Sequence, residues 1–478
     1  MSGWASWGRV AELAVAFGNS LKASNIDIAA LNKAANSLFA AVGMTLLEFG
    51  AVGDGIADDT AAVLAAMKHG GPVDWLNKTY RITTGIDARL AGSAVWKSKG
   101  ATIKLDSAVM HRRAVNVELD GYSLTIRGTK LIVDASQKAV TALRIVNSSL
   151  TEADLIAEGL VARSAFRADK SMAGGDGMFI AGNFGRVILS RPEVHDCFMA
   201  VGAEVFGSQG IFGLSVAGLG DLYARHIVIR DAVVRNVWSL DPAYINDQDG
   251  IRIFQAMTNP DATCLIDGYT CENVANRAVK LHSAPNATIK NVRRVLDAAV
   301  VPQTVDFSNP DFDAQQAPAI FESIKVHYNG RCHTEVIRAA TDRGDYRFGG
   351  SQIDGLSILV ENLAGNAIRA IGLTSTAGDA GTVFPDSYYR TTVNNVTTVG
   401  PISKLMTVNL RGAGTNFFAV SNIVAELTAE AFSASGSSTA GLVVVVSSII
   451  NTGAAVPLAT GFGGLRTVTA SGQHGLVA

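Results

Sequence analysis

The chain has 478 residues, 48% hydrophobic and 17% charged, with 48 glycines, 11 prolines and a net charge of −2. That balance supplies no basic face for nucleic acid, and no apolar run, Leu442–Val446 included, approaches the length that spans a bilayer. Nucleic-acid binding and membrane insertion are therefore not expected, whereas a near-neutral total still permits a locally charged groove.

The four cysteines, Cys197, Cys264, Cys271 and Cys332, form no Cys-x-x-Cys pair, so buried free thiols are expected and no metal or redox motif is. Met1-Ser-Gly-Trp carries neither a basic stretch nor an apolar run, which predicts synthesis and folding in a cytoplasm.

Residues 8–44 read as helical. Val10, Leu13, Ala14 and Phe17 make one stripe, and Ile28, Leu31, Leu38 and Val42 suggest a second. Such a segment could be a lid on the core, or could serve attachment or trimer assembly.

Phe49 to Met67 is more informative. Gly50, Gly53 and Gly55 mark a compact turn. Asp58, Asp59 and Thr60 are N-cap residue types, and Val63, Ala66 and Met67 recur at helical spacing. The unit reads as strand, glycine turn and capped short helix. It resembles the opening signature of the pectate-lyase-like superfamily, most of all its phage tailspikes and polysaccharide depolymerases, and Val73-Asp-Trp-Leu-Asn-Lys-Thr-Tyr-Arg-Ile-Thr83 extends the match. The resemblance covers about residues 45–85. It implies an all-β fold: a right-handed, single-stranded parallel β-helix whose mouth is closed by a capping helix.

From about residue 85 the helical period gives way to short strands. A small or polar residue, then apolar, any and apolar, recurs at Ala142–Ile145, Gly177–Ile180, Gly250–Ile253, Ala278–Leu281, Glu335–Arg338 and Ala367–Ala370. Copies lie 35 (142 to 177), 28 (250 to 278) and 32 (335 to 367) residues apart, and the gap of 73 from 177 to 250 predicts two or three coils. A fixed-period repeat keeps one length; a β-helix does not, because stacked strands tolerate turns of any size. Asn273, Asn291, Asn362 and Asn395 suit the turns. A β-sandwich is the rival fold, but most Asp-Gly pairs here precede a recurring strand rather than join a hairpin.

Residues 400–478 are poor in charge, and Leu442–Val446 would be an aggregation hazard as a free edge. Either further coils or an intersubunit region must cover it. The expected division is therefore a segment at 1–44, a β-helix at 45–400 and C-terminal coils or a trimerisation region at 401–478.

Glycosidic hydrolysis needs two carboxyl groups, and Asp241–Phe254 is the densest candidate stretch. Asp247 and Asp249 would share one strand face, with Cα atoms roughly 6.5–7 Å apart, close enough for like charge to make one a proton donor. Aligning the recurring strands places Asp176 and Arg277 in the column of Asp249, and Arg252 beside Lys280, with His282 further along. The expected catalytic set is Asp247, Asp249 and Asp176, and the expected glycan contacts are Tyr244, Arg252, Arg277, Lys280 and His282. Glu193, Asp196, Glu204, Asp311 and Asp313 are alternative acids. The same residues also suit ordinary turns and solvated faces.

The polygalacturonases of the superfamily carry a Gly-His-Gly that is missing here, and Asn246-Asp-Gln-Asp249 with Arg277-Ala-Val-Lys280 only echoes their other motifs. Pectate lyases pair a calcium-binding acidic cluster with a cationic base, which Asp247, Asp249 and Arg277 could imitate. The resemblance implies a tailspike, carried on the virion as a homotrimer and joined to the phage tail or baseplate through its N-terminus, that hydrolyses a bacterial surface polysaccharide without a cofactor. The alternatives are a lyase on a uronate-containing glycan and a non-catalytic glycan-binding spike.

Overall fold

The computed structural model describes residues 43–477 except 172–173, 204–209, 255–260, 285, 305–308, 316, 341–349, 364–367, 375–388, 411–414, 437–440, 461–465, 471–472 and 475. Most of the expected segment at 1–44, part of the last recurring strand (Ala367), Glu204 and part of the glycine-rich tail lie outside the described residues.

The chain is an all-β parallel solenoid. Thirteen strands, from Ile86–Arg89 to Ala459–Thr460, stack in strict chain order into one sheet, and a second, 25-stranded sheet forms the remaining walls. The ladders are parallel, as in Thr141↔Asp176, Asp176↔Phe212, Leu214↔Ile251 and Ile251↔Val279. All six recurring segments contribute to the 13-stranded sheet. The 35- and 28-residue spacings are its actual registers, Leu143↔Met178 and Ile251↔Val279. The 73-residue gap holds one extra strand, Phe212–Ala217, and so spans two coils. One register differs from expectation: Glu335 pairs with Arg369, a step of two residues from the alignment on Ala367, because the short motif does not constrain where a variable turn ends.

The small first residue of the motif has a steric cause. Gly177, Gly213 and Gly250 turn inward at the corner where the chain enters the sheet. A Cβ at Gly177 would lie 2.1 Å from Val194 Cγ1, at Gly213 2.5 Å from Val234 Cγ1, and at Gly250 2.3 Å from the Tyr269 hydroxyl. Behind that corner runs a column of Ile, Val and Leu, including Ile180, Leu214, Ile251, Ile253 and Leu281, all at most 2% exposed. Burying each such side chain stabilises the fold by roughly 1.5–3 kcal/mol.

The opposite corners are made by single left-handed residues. Asn273, Asn291, Asn362 and Asn395 have φ of 53°, 55°, 52° and 55°, a region in which asparagine is tolerated. They also ladder: Asn291 Nδ2 donates to Asp267 (2.7 Å), Asn395 to Asp354 (2.7 Å) and Asn362 to Asn329 (3.0 Å).

At the mouth, helix Thr60–Lys68 buries Ala62, Val63, Ala66 and Met67 on the first coils. Its capping differs from expectation. Asp59 is the N-cap residue but makes no cap bond; its carboxylate turns back to accept Val52 N–H (2.7 Å) and Gly53 N–H (3.1 Å), tying the glycine turn to the helix. Asp58 accepts from Thr60 N–H instead (3.0 Å).

At the other end, the strand Gly441–Val446 is paired on both sides within its own chain, with Thr415–Val420 and with Arg466–Ala470. Of the two covers expected for this strand, further coils or an intersubunit region, successive coils supply it. Parallel stacking also continues across residue 400, in the strand Tyr389–Ile402, with a register shift between Thr397 and Pro401. All four cysteines are buried and none is in a disulfide.

Gly177→Ala should lose about 1–3 kcal/mol of stability through overpacking. Denaturant midpoints for Gly177→Ala, Val194→Ala and the double variant check this; the double variant should be more stable than the sum of the single losses implies.

Candidate functional site

The outward face of the 13-stranded sheet is a grid. One outward column runs Arg144, Phe179, Ser215, Arg252, Lys280, Asp313 and Arg338. A second carries Ala217, Phe254, His282 and Gln315. A third begins with Arg113, Thr141, Asp176 and Phe212 and continues through Asp249 to Arg277, as the bonds from Gly213 N–H to Asp249 and from Gly250 N–H to Arg277 fix.

Arg277 lies at the centre. Its Nη1 sits 3.0 Å from Asp249 and 3.8 Å from Asp247, and its Nε 3.3 Å from Asp313. Lys280 Nζ is 3.6 Å from Asp247. Burial works against the Arg277 charge, but Asp249 and Asp313 outweigh it and hold the guanidinium more basic than usual. Asp313 accepts from Gln315 (2.6 Å), yet burial prevails there and raises its carboxyl above the usual range despite Arg277. Asp249 Oδ2 and Asp313 Oδ1 are buried without a hydrogen-bond partner.

Asp247 and Asp249 are not on a strand, contrary to the expected shared strand face. They occupy the turn before Ile251–Phe254, and Asp247 has φ of 50°. Their carboxylates therefore meet through one guanidinium rather than through strand alternation. The turn also divides them by exposure: the Asp247 side chain is 16% exposed and that of Asp249 0%.

Two coils nearer the N-terminus, Asp176 accepts from the Ser215 hydroxyl (2.5 Å) and faces Arg252 Nη2 at 3.8 Å. Arg252 lies over the Phe212 ring, 3.7 Å from its centroid. Burial raises the Asp176 pKa, with Arg252 opposing. Beyond Arg252 and Lys280, Phe254 and His282 stack at 4.4 Å and 8°. Phe254 is 41% exposed, so the pair presents a flat apolar edge to solvent; burial lowers the His282 pKa and favours the neutral ring.

The structure thus gathers Asp247, Asp249, Arg277, Lys280, Arg252, Asp176 and His282 on one wall. Tyr244 is half-buried and packed on the hydrophobic core, its carbonyl accepting from Gln248. Of the alternative acids, Asp313 joins the cluster through Arg277, whereas Glu193, Asp196 and Asp311 stand apart from it. Glu193 pairs with Lys130, and Asp196 is a left-handed corner bonded to His195 and Asn236. Asp311 faces inward to Arg294 (2.9 Å) and the Tyr328 hydroxyl (2.9 Å). Phe212, Ser215 and Phe254 were not anticipated. Phe254 was within reach, since the 28-residue register that pairs Arg252 with Lys280 also pairs Phe254 with His282.

No protein-family model matches the chain, and no curated protein matches it. Among solved structures, it is similar to the catalytic unit of a thermostable GH87 alpha-1,3-glucanase from Streptomyces thermodiastaticus strain HF3-3, at 13% identity over 91% of this chain and 69% of that one, with a TM-score of 0.37. It is also similar to two structures of PfbA, a surface adhesin of Streptococcus pneumoniae: 12% identity over 91% and 100% with a TM-score of 0.42, and 14% over 87% and 91% with a TM-score of 0.40.

Two outcomes test this electrostatic description. Arg277→Ala should cost about 3–5 kcal/mol, because it strands two buried carboxylates; in denaturant titrations, adding Asp249→Asn and Asp313→Asn should recover much of that. For Asp176, the folded-state pKa is raised, so the native chain keeps a proton that the unfolded chain releases. The stability this gives is complete below the ordinary value of 3.8 and is lost as pH rises through the folded-state value. Asp176→Asn should therefore gain on the wild type with rising pH across that window, by about 1.4 kcal/mol for each pH unit it spans, in unfolding midpoints measured from acid to neutral pH.

Proposed function

We propose that this chain binds a polysaccharide along the outer wall of the 13-stranded sheet and cleaves it by glycosidic hydrolysis. The observation that carries the reading is a pair of carboxyls in unlike surroundings on one wall. Asp247 is partly exposed and lies beside Lys280 and Arg277, a position that suits the base. Asp176 is buried with a raised pKa, which suits a proton donor. Asp249 and Asp313 hold Arg277 in place, and the Phe254–His282 edge offers a sugar ring a stacking surface. Asp176 lies two coils from the coil that Asp247 leads into, roughly 10 Å of rise at about 4.8 Å per coil. That is well above the approximately 5–5.5 Å of retaining enzymes and just above the roughly 6.5–9.5 Å of inverting ones, so inversion is the nearer geometry.

In the organism we take the protein to be a phage tailspike acting on a capsule, exopolysaccharide or O-antigen, assembled as a homotrimer and attached through its N-terminal segment. The support for this is the resemblance of residues 45–85 to tailspike openings.

Incubation with purified bacterial surface polysaccharides should release new reducing ends, with the anomer inverted in proton spectra of fresh product. Asp247→Asn and Asp176→Asn should each lower turnover at least ~100-fold while leaving the β-rich circular dichroism unchanged. Binding without product would instead make the chain a glycan-binding spike, and an ultraviolet-absorbing unsaturated product would make it a lyase; either result rejects hydrolysis.

A further inference from the structure

Arg112, Arg113 and Arg144 form a cationic group on the same wall that the mechanism does not use. Arg113 leads the column that continues Thr141, Asp176 and Phe212, two coils before Asp176. Arg144 lies in the neighbouring column, between Asn116 and Phe179. Arg144 Nη1 donates to Asn116 Oδ1 (2.9 Å) and its guanidinium lies 5.7 Å from the centroid of the Phe179 ring. Arg112 is exposed, while Arg113 and Arg144 are half-buried.

Two carboxylates are near, and neither neutralises the group. Asp87 is exposed, and Glu118 is turned to the backbone N–H groups of Asp120 (3.2 Å) and Ser148 (2.9 Å). Among the described residues none of the three arginines has a carboxylate within 4.0 Å. The opposite holds farther along the wall, where Arg277, Lys280, Arg338, Arg369 and Lys404 are each ion-paired. Burial first, and the neighbouring arginines second, lower the pKa of Arg113 and Arg144, apart from the smaller pull of Glu118 and Asp87. Arg144, held in place by an amide and an aromatic ring and flanked by the like-charged Arg112 and Arg113, is organised for a planar anion, which a guanidinium meets with two parallel hydrogen bonds.

We propose that Arg112, Arg113 and Arg144 form an anion-binding subsite, one to two coils from Asp176, for a negatively charged substituent on the glycan, so that the substrate of this wall is an acidic polysaccharide. The anion is a carboxylate, sulfate or phosphate carried on a sugar chain. The inference rests on the reading of this wall as a glycan site and deepens it.

The test measures binding of the full chain to three polymers by calorimetry: polygalacturonate, dextran sulfate and neutral dextran. The wild type should bind at least one polyanion and bind neutral dextran at least tenfold more weakly. Arg113→Gln combined with Arg144→Gln should weaken polyanion binding at least tenfold, and Arg112→Gln, at an exposed position that does not threaten the fold, by about two- to fivefold. Which polyanion binds tighter separates carboxylate from sulfate, and a phosphate-bearing teichoic acid gives the third arm. Equal binding of neutral and charged polymers, or polyanion binding unchanged in both variants, overturns the proposal. Its failure differs from failure of the hydrolase reading: cleavage of a neutral glycan only would reject the subsite and keep the enzyme, whereas arginine-dependent polyanion binding without product would keep the subsite and reject the enzyme.

Discussion

Everything on the outer wall depends on an inward corner too tight for a side chain. Ala142, Gly177, Gly213, Gly250 and Ala278 succeed one another there, and the space that a Cβ would need at the glycines is held by Val194, Val234 and Tyr269. A slip of one residue would drive a larger group into that space and turn the Ile, Val and Leu column outward. With the corner set, Arg252 lies beside Lys280 and Phe254 beside His282, although 28 residues separate each pair in sequence.

The same corner shows what happens when a coil departs from the rule. After Ala278 its place is taken by Asp311, whose carboxylate accepts from Ala278 N–H (2.8 Å), Arg294 and Tyr328. Burial tends to raise the Asp311 pKa, yet Arg294, with His333 beside it, holds the carboxyl below its usual range. Arg294 Nη2 donates to the carbonyls of Val274 (2.7 Å) and Asn276 (3.1 Å), and Nη1 to that of Val295 (3.2 Å). A buried pair of this kind is weak evidence for stability, because desolvation offsets much of the attraction. What it does is satisfy the polar groups of a coil that has no small residue at its corner. Two residues later the chain turns its next acid, Asp313, outward to Arg277.

At these acids burial and charge pairing pull in opposite directions, and the balance differs from one to the next. At Asp313 and Asp176, on the wall, burial prevails; at Asp311, turned inward, the ion pair does. Which prevails is decided by the cations that each buried carboxyl meets, a balance of the kind that acid–base sites exploit.

Much of the solenoid was legible in the sequence. The glycine turn and short helix before residue 70 carried a recognisable opening, the small–apolar–any–apolar motif marked six strands of one sheet, and four asparagines marked corners. These are local properties: they follow from which residues tolerate positive φ, which fit without a Cβ, and which must leave water. The pairing of Arg252 with Lys280 was also readable, since equal motifs imply equal registers. The exposure of Asp247, the burial of Asp249, the outward turn of Asp313 and inward turn of Asp311, and the stacked Phe254–His282 edge were not. Those depend on where variable turns end and on which neighbours from other coils lie above and below each side chain. Residue types and spacing alone determined that the chain stacks and roughly which strands align; only the tertiary structure decided which acids meet Arg277 and which reach solvent, because desolvation and Coulomb pairing are set by neighbours about 30 residues away rather than by the local sequence.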